Sequence, residues 1–344
     1  MSKFKIIVDI DRDLFDETLD EKLIYYSNQN QEYYDSVIYS KNIIKIYGNR
    51  SKTIDNIRLL ETMNSTYYSD LVKALLFAYF KKRPFIINNI KVYIEEDLVN
   101  EYSKSDINQV FSNEKLIEIE TDILFKETKA SYVAMNSLMH LTMSFKYQDL
   151  RFDYTWKAFN RLISYFFNKN TDFRMLQELR EDLESNQNSY TNIINFSKGL
   201  DYEYLNTCFF KGMIYNNFPS KKTKAFVEFL KDFDDYRVIK VLMDIMEYKI
   251  NDLKDINEYE NIKKNYINKL ESPYQKDTDV VRILILKYAY YLRCKFFHAE
   301  KLPSNFIINN VHQIELCRIS HPLSLICKDL LENKFVDCII KLNN

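Results

Sequence analysis

The segment that most constrains the fold of this chain runs from residue 277 to about residue 298. Its apolar residues point in almost every direction around a helix axis, and they are Val280, Val281, Ile283, Leu284, Ile285, Leu286 and Tyr288. A helix that is hydrophobic all round is buried on every side, so several neighbours must cover it. We therefore expect this segment to be the central helix of a bundle.

Amphipathic helices that can surround it are predicted upstream and downstream. In residues 152–167, Phe152, Trp156, Phe159, Ile163 and Phe166 follow the 4-3-4-3 spacing of a single helix face. Further helices are predicted at residues 130–145, 172–183, 223–233, 237–250, 259–270, 310–319 and 322–335. Ser320 is expected to cap the last of these, with Pro322 in its first turn.

The first third of the sequence has a different pattern. Residues 3–10, 36–40 and 42–47 read as strands, and residues 85–96 read as a hairpin that turns at Asn88 and Asn89. Between them lies a predicted helix that Asn64, Ser65 or Thr66 can cap. The sequence therefore predicts an α+β domain at residues 1–125, with a recognition or regulatory role, followed by a mainly α-helical domain at residues 126–344. Helix predominates overall.

Composition excludes several classes of site. The chain has three glycines, and it lacks the Walker A, Rossmann and G-x-S-x-G patterns that need glycine at fixed positions. Its five cysteines are an odd number without C-x-x-C spacing, which indicates reduced thiols and no zinc site. We therefore predict no cofactor and no metal-binding residue.

Charge and hydropathy limit the kinds of partner that the chain is expected to bind. No apolar run approaches the roughly 20 residues of a membrane span, and the first residues lack the apolar core of a signal peptide. We expect a cytoplasmic protein with no membrane partner. The formal net charge is −1, so any contact with nucleic acid must depend on a local basic patch.

Two polar residues interrupt the end of the central helix. Arg293 and His298 lie five positions apart, or about 140° around an ideal helix, so they share a face only if the helix frays or a second copy supplies its own pair. Pro303 indicates that the helix ends near His298. An arginine and a histidine without acidic metal ligands suit metal-free RNA cleavage, in which the ribose 2′-OH is the nucleophile. His298 would move protons and Arg293 would hold the phosphate, while Lys295 would add a phosphate contact.

Each of these residues also has a structural interpretation. An arginine and a histidine at this spacing can form an interhelical hydrogen bond or a surface pair. Asn160 follows Phe159 and can project into the bundle to position the substrate, or it can be a structural amide. His140 is interpreted as a core or interface histidine.

The run Y-Y-L-R-C-K-F-F-H-A-E-K, residues 290–301, resembles the R-x4–6-H signature of the HEPN superfamily. Residues 152–167 look like the aromatic helix that opens many HEPN domains. The resemblance covers about residues 126–344. It implies a helical bundle that forms a homodimer, with two R-x4-H motifs in one cleft. It also implies a metal-independent endoribonuclease of the kind found in toxins, CRISPR-associated effectors and abortive-infection defence.

This sequence departs from the family pattern at two positions. Cys294 stands where an Asn, Asp or His often follows the arginine, and Ala299 stands where a glycine often follows the histidine. The alternative is therefore an inactive HEPN scaffold that binds RNA or a protein. The resemblance does not extend to the N-terminal domain, which we expect to recognise a trigger molecule, an antitoxin or the RNA substrate.

Overall fold

The computed structural model describes residues 2–27, 31–54, 58–62, 65–254, 258–297 and 314–335. An antiparallel sheet comes first and helices follow, so the chain is an α+β protein in which helix predominates. It divides into two compact units: the first holds the described residues up to Phe166 with Lys334 and Phe335, and the second holds Phe167 to Asn333. The sequence predicts a domain boundary between residues 125 and 126. In the structure, the helices Lys129–Lys146 and Arg151–Phe167, apart from Phe167 itself, belong to the same unit as the sheet.

The first unit contains a six-stranded sheet with the strand order β2-β3-β4-β1-β5-β6 in the described residues. The strands are β1 (Ser2–Ile10), β2 (Phe15–Ser27), β3 (Glu32–Lys41), β4 (Ile43–Arg50), β5 (Ile87–Ile94) and β6 (Asp97–Ser103). All neighbours are antiparallel. Burial alternates along the strands: in β1, Phe4 and Ile6 are buried, whereas Lys5 and Ile7 are half-buried. One face of the sheet therefore belongs to the core.

Helix α1 (Thr66–Lys81) covers the core face of the sheet. Ser65 is its N-cap, as one of the predicted alternatives, and accepts a hydrogen bond from the amide of Tyr68 at 3.4 Å. On the sheet side, the Tyr39 hydroxyl donates to the Ala74 carbonyl. On the other side, Phe80 packs edge-on against Phe145 of the next helix. The remaining long helices of this unit are α2 (Lys129–Lys146) and α3 (Arg151–Phe167).

The second unit is built from helices of very different lengths. They are α4 (Asp172–Ser185), α5 (Thr191–Lys198), α6 (Tyr202–Asn206), α7 (Phe210–Asn217), α8 (Thr223–Lys231), α9 (Tyr236–Tyr248), α10 (Ile250–Leu253), α11 (Tyr259–Glu271), α12 (Asp277–Val281), α13 (Tyr290–Phe297) and α14 (Ile314–Asp329). Two π-helical stretches, Arg282–Ala289 and Leu330–Lys334, extend α12 and α14. Short 3₁₀ turns occupy Val110–Ser112, Asp122–Phe125 and Gln148–Leu150 in the first unit, and Gln187–Tyr190 and Ser220–Lys222 in the second.

The predicted central helix is confirmed. Helix α12, the π-helical stretch and α13 follow one another without a break from Asp277 to Phe297. All seven apolar residues that predicted a central position are buried, because α4, α5, α9 and α14 pack around this stretch. The helix at its middle is wider than an α-helix, a geometry that often accompanies functional sites.

Two sequence predictions are wrong. Strand β5 runs through Asn88 and Asn89, and the chain turns at Glu95 instead, where φ is +55°. A two-residue hairpin turn favours glycine at its second position, which Asn89 does not supply. Pro322 lies inside α14 and does not start a new helix; Ser320 donates to the Leu316 carbonyl one turn earlier and caps nothing.

No helix in the described residues has the length and apolar content needed to cross a bilayer.

Candidate functional site

Arg293 lies on α13, the last described part of the central helix. The buried residues Tyr291 and Leu292 precede it and hold this turn in the core of the second unit. Arg293 itself is half-buried, with 25% of its side chain exposed. A buried helix therefore presents a guanidinium at the edge of the core, where it can reach solvent.

The partner of this guanidinium is a carboxylate on another helix. Arg293 Nη2 lies 3.4 Å from Asp172 Oδ2, and Asp172 is 24% exposed. Asp172 is the first residue of α4, after the N-cap Thr171. The guanidinium also lies over the ring of Phe297 at 5.4 Å. Its Nε is buried and has no hydrogen-bond partner among the described residues.

Cys294, the residue after Arg293, interacts with its own helix. A hydrogen bond links it to Tyr290, one turn earlier. Burial and the neighbouring Cys294 raise the pKa of Tyr290, whereas Arg293 acts in the opposite direction. Tyr290, Arg293 and Cys294 therefore form one polar group at the edge of the core.

The other predicted site residues are distributed as follows. Lys295 is half-buried in the last turn of α13. His298 lies outside the described residues. Asn160 is half-buried on α3 in the first unit, whereas Arg293 and Lys295 belong to the second. The Oδ1 atom of Asn160 is buried without a hydrogen-bond partner among the described residues.

A network of buried charges holds the start of the central helix. Arg237 is only 1% exposed and donates to both carboxylate oxygens of Asp235 and to Asp277. Asp279 accepts from the backbone amides of Asp234 and Asp235 and from the side chain of Arg282. The network fastens α9 to α12 by paired and hydrogen-bonded charges, which is the arrangement that makes buried charge tolerable. It has a structural explanation and carries no separate chemistry.

A second polar cluster, in the first unit, was not identified from the sequence. Arg50 of β4 donates two parallel hydrogen bonds, of 2.7 and 2.6 Å, to the carboxylate of Asp35 on β3. Asp35 is fully buried. The same guanidinium lies 4.7–4.9 Å from the ring centres of Phe4, Tyr25 and Tyr67. The pair is therefore both bidentate and enclosed by aromatic rings.

Asp70 of α1 lies next to this pair. Burial, followed by a hydrogen bond to Asp35, raises the pKa of Asp70 well above its ordinary value. Its Oδ2 atom has no hydrogen-bond partner among the described residues. One turn later, burial lowers the pKa of Lys73. A buried carboxyl group with a raised pKa is found in acid–base sites and also in structural networks.

One signal in the sequence could have located Asp35 and Arg50. The hairpin of β3 and β4 pairs Ser36 with Tyr47, which puts Asp35 opposite Gly48 and diagonal to Arg50. A carboxylate that faces the core from a strand is stable there only if a cation or hydrogen-bond donors pair with it. Arg50 lies on the same, inward face of the hairpin as Asp35 and can supply that cation. No comparable signal links Asp172 with Arg293, because they are on helices far apart in the sequence.

Among the described residues, no group of three or more His, Cys, Asp or Glu side chains is arranged to hold a metal ion. His140 is half-buried, and burial followed by the charge of Lys157 lowers its pKa.

Comparisons of the chain with protein-family models, with curated proteins and with solved structures find no match.

Proposed function

We propose that this chain is a metal-independent endoribonuclease of HEPN type, with Arg293 and His298 as its catalytic residues. The observation that carries the proposal is the environment of Arg293. Arg293 follows the buried residues Tyr291 and Leu292 near the end of the central helix, its side chain is 25% exposed, and its Nε has no partner among the described residues. His298 follows Phe297, the last described residue of that helix.

The proposed reaction needs no nucleophile from the protein. The ribose 2′-oxygen attacks the adjacent phosphorus, the bond to the 5′-oxygen breaks, and the products are a 2′,3′-cyclic phosphate and a 5′-hydroxyl. His298 would transfer the proton between these two oxygens, an effect typically worth about 10²–10⁴-fold. Arg293 would stabilise the charge that builds on the non-bridging oxygens, and Lys295 would contact a neighbouring phosphate.

The family resemblance extends the proposal to assembly and biology. Residues 126–344 would form an HEPN-like bundle, and two copies of the chain would bring their Arg293 and His298 residues into one cleft. The activity would then serve a toxin or an antiviral defence effector in the cytoplasm. Residues 1–125 would recognise RNA, an antitoxin or a trigger molecule.

One observation favours a second candidate, an inactive scaffold that binds RNA or a protein. Asp172 already occupies one edge of the Arg293 guanidinium. A phosphate would have to share or replace that carboxylate, and Cys294 supplies only a weak hydrogen-bonding group beside it. In this alternative, the pair of Arg293 and Asp172 fastens α13 to α4.

Cleavage of transfer RNA in EDTA separates the two candidates. We expect the wild-type chain to cut, and Arg293→Ala and His298→Ala to lose at least about 100-fold in rate. Arg180→Ala is the matched control, because Arg180 is also a half-exposed arginine paired with a carboxylate in the second unit. RNA with 2′-deoxyribose at the cut site should be inert.

Either of two results would contradict the nuclease. Cleavage that persists unchanged in both Arg293→Ala and His298→Ala would remove these residues from the mechanism. Retained RNA or partner binding, with no cleavage by the wild-type chain, would support the scaffold. Sedimentation analysis of the same samples tests the expected homodimer.

A further inference from the structure

The face of the sheet turned away from α1 has an ordered pattern of lysine and tyrosine. Lys5 of β1 pairs across the sheet with Tyr47 of β4 on one side and with Tyr93 of β5 on the other. In the next row, Ile7 lies between Lys45 and Lys91. Lys5, Lys45, Lys91, Tyr47 and Tyr93 together are called the lysine–tyrosine face, and all five side chains are half-buried.

This face is positive in a chain whose formal net charge is −1. Outward positions of the four central strands carry Lys3, Lys5, Lys45 and Lys91 against the acids Asp9 and Glu32. Lys91 pairs with Glu101 of β6 at 3.4 Å. Neither Lys5 nor Lys45 has a carboxylate within salt-bridge distance in the part of the chain that the structure describes. Their charge therefore remains available to an anionic partner.

Each tyrosine of the face has an ammonium group beside its ring. Lys5 Nζ lies 4.4 Å from the centre of the Tyr93 ring, and Lys45 Nζ lies 5.1 Å from that of Tyr47. The arrangement recurs at the edge of the sheet, where Lys22 Nζ lies 4.5 Å from the Tyr34 ring. The surface thus alternates aromatic rings with ammonium groups. A single-stranded nucleic acid alternates bases, which stack on aromatic rings, with phosphates, which attract ammonium groups.

We propose that the lysine–tyrosine face binds single-stranded RNA. Bases would stack on Tyr47 and Tyr93, which lie two strands apart, or about 10 Å. The lysines between and beside them would contact the backbone phosphates. Sheets use exposed aromatic residues in this way to hold unpaired bases, and a duplex cannot bind so because its bases are already stacked. The choice of RNA over DNA rests on the proposed nuclease function. The inference that the face stacks unpaired bases rests on its geometry and not on that function.

A cleft of about 680 Å³ continues this face at one end of β3 and β4. Tyr47 and Tyr34 line it from the open face, and Tyr25, Tyr33 and Arg50 contribute further walls. Its volume lies within the range of pockets that hold small organic ligands. The cleft would take one unstacked base of the bound strand between its aromatic walls.

Fluorescence anisotropy with a labelled 12-nucleotide single-stranded RNA tests the proposal. The measurement uses the full chain carrying His298→Ala, so that cleavage does not interfere. We expect Tyr47→Ala and Tyr93→Ala each to weaken binding about tenfold. Lys5→Gln and Lys45→Gln should each reduce the slope of log Kd against log salt concentration by about 0.7. A duplex of the same sequence should bind more weakly than the single strand.

The chain offers a matched control. Lys211 Nζ lies 3.3 Å from the ring centre of the exposed Tyr248 in the second unit, so this is the same kind of pair away from the sheet. Lys211→Gln and Tyr248→Ala should leave the affinity unchanged. Thermal unfolding of every variant checks that the fold is retained.

The proposal is overturned if the sheet variants bind as tightly as the parent, if the control variants weaken binding equally, or if no RNA binds. Equal affinity for the duplex would also overturn it. So would a change of oligomeric state in Tyr47→Ala and Tyr93→Ala, because the face would then be an interface between copies. Failure here is distinct from failure of the nuclease: a chain that binds through this face but never cuts keeps the inference, and a chain that cuts without needing the face loses it.

Discussion

Asp172 holds Arg293 from the first turn of α4, with 3.4 Å between Oδ2 and Nη2. The carboxylate therefore interacts with two positive features at once, the guanidinium and the amino end of the helix dipole. Both side chains are about one quarter exposed, so the pair contributes little to stability, in the range of about 0–1 kcal/mol. Its main effect is on the charge that a phosphate would encounter at Arg293.

We expect Asp172→Asn to strengthen RNA binding by about two- to fivefold, because it removes a negative charge beside the proposed phosphate position. The measurement is anisotropy at low salt, again with His298→Ala present. Glu178→Gln is the control, since Glu178 is on the same helix and pairs with Lys169. Weaker binding by Asp172→Asn would instead mean that the carboxylate positions Arg293 for its ligand.

Cys294 can be tested by giving the chain the residue that HEPN proteins often have there. Cys294→Asn adds an amide donor next to Arg293, and we expect the rate of RNA cleavage in EDTA to rise at least about tenfold. Cys317→Asn is the control, because Cys317 is also a partly exposed cysteine of the second unit. An unchanged or lower rate in Cys294→Asn would show that the thiol is not what limits the site.

The sequence predicted the parts of the fold in which side-chain periodicity agrees with burial. The central helix, helix α1 and strand β1 all follow this rule, and Ser65 is one of the three predicted alternatives for the cap of α1. Strand β2 was missed because acids interrupt the apolar pattern in the first half of its sequence, FDETLDEKLIYYS, as expected at a sheet edge. Pro322 was misread because tertiary packing keeps α14 helical through it.

The candidate sites were predictable only where they depend on neighbours in sequence. The Arg293 and Cys294 group was found from one short motif, but its partner Asp172 comes from another helix. The lysine–tyrosine face is visible in the alternation K-F-K-I-I-V of β1, although its meaning needs the register of three strands. Tertiary packing decides which side chains of distant segments become neighbours. The spacing of residues within one segment carries no information about such pairs.

The pair of Arg50 and Asp35 should be among the strongest single contributions to the first unit. Asp35 is fully buried, so Arg50→Ala leaves an unpaired carboxylate in the core, and we expect a loss of about 3–5 kcal/mol in urea unfolding. Arg50→Lys should recover little, because one ammonium cannot donate the same two parallel bonds. Arg12→Ala is the control; its pair with Asp11 is at the surface and should cost less than about 1 kcal/mol. A loss below 1 kcal/mol for Arg50→Ala would contradict the assignment.

Gly48 is required by the same pair. A Cβ atom there would lie 1.8 Å from Asp35 Oδ1 and 2.9 Å from the ring of Phe4, so Asp35 would have to move away from Arg50. We expect Gly48→Ala to lower the free energy of unfolding by more than about 2 kcal/mol. At Gly199 the nearest atom would be 3.6 Å away, so Gly199→Ala should be neutral or slightly stabilising. Equal effects at the two glycines would rule out the steric explanation.

Asp70 should make the stability of the protein depend on pH. Its pKa in the folded chain is well above the ordinary value of 3.8, so the folded state holds this proton more tightly than the unfolded state. The stability that Asp70 contributes is complete below about pH 3.8 and is lost as the pH rises towards the folded-state pKa. Arg50, Lys73 and Asp35 face the carboxyl; Asp35 raises its pKa, whereas Lys73 and Arg50 lower it.

Asp70→Asn removes the titration and keeps a side chain that can donate to Asp35. The advantage of Asp70→Asn over wild type in urea unfolding should therefore grow from pH 4 to pH 7, with a slope of up to about 1.4 kcal/mol per pH unit. Asp106 supplies a control of opposite sign, because hydrogen bonds from Ser103 lower its pKa. The difference between Asp106→Asn and wild type should stay nearly constant from pH 4 to pH 7, because the stability from Asp106 is lost only as the pH falls below about 3.8. A constant difference between Asp70→Asn and wild type would mean that Asp70 is ionised in the folded chain.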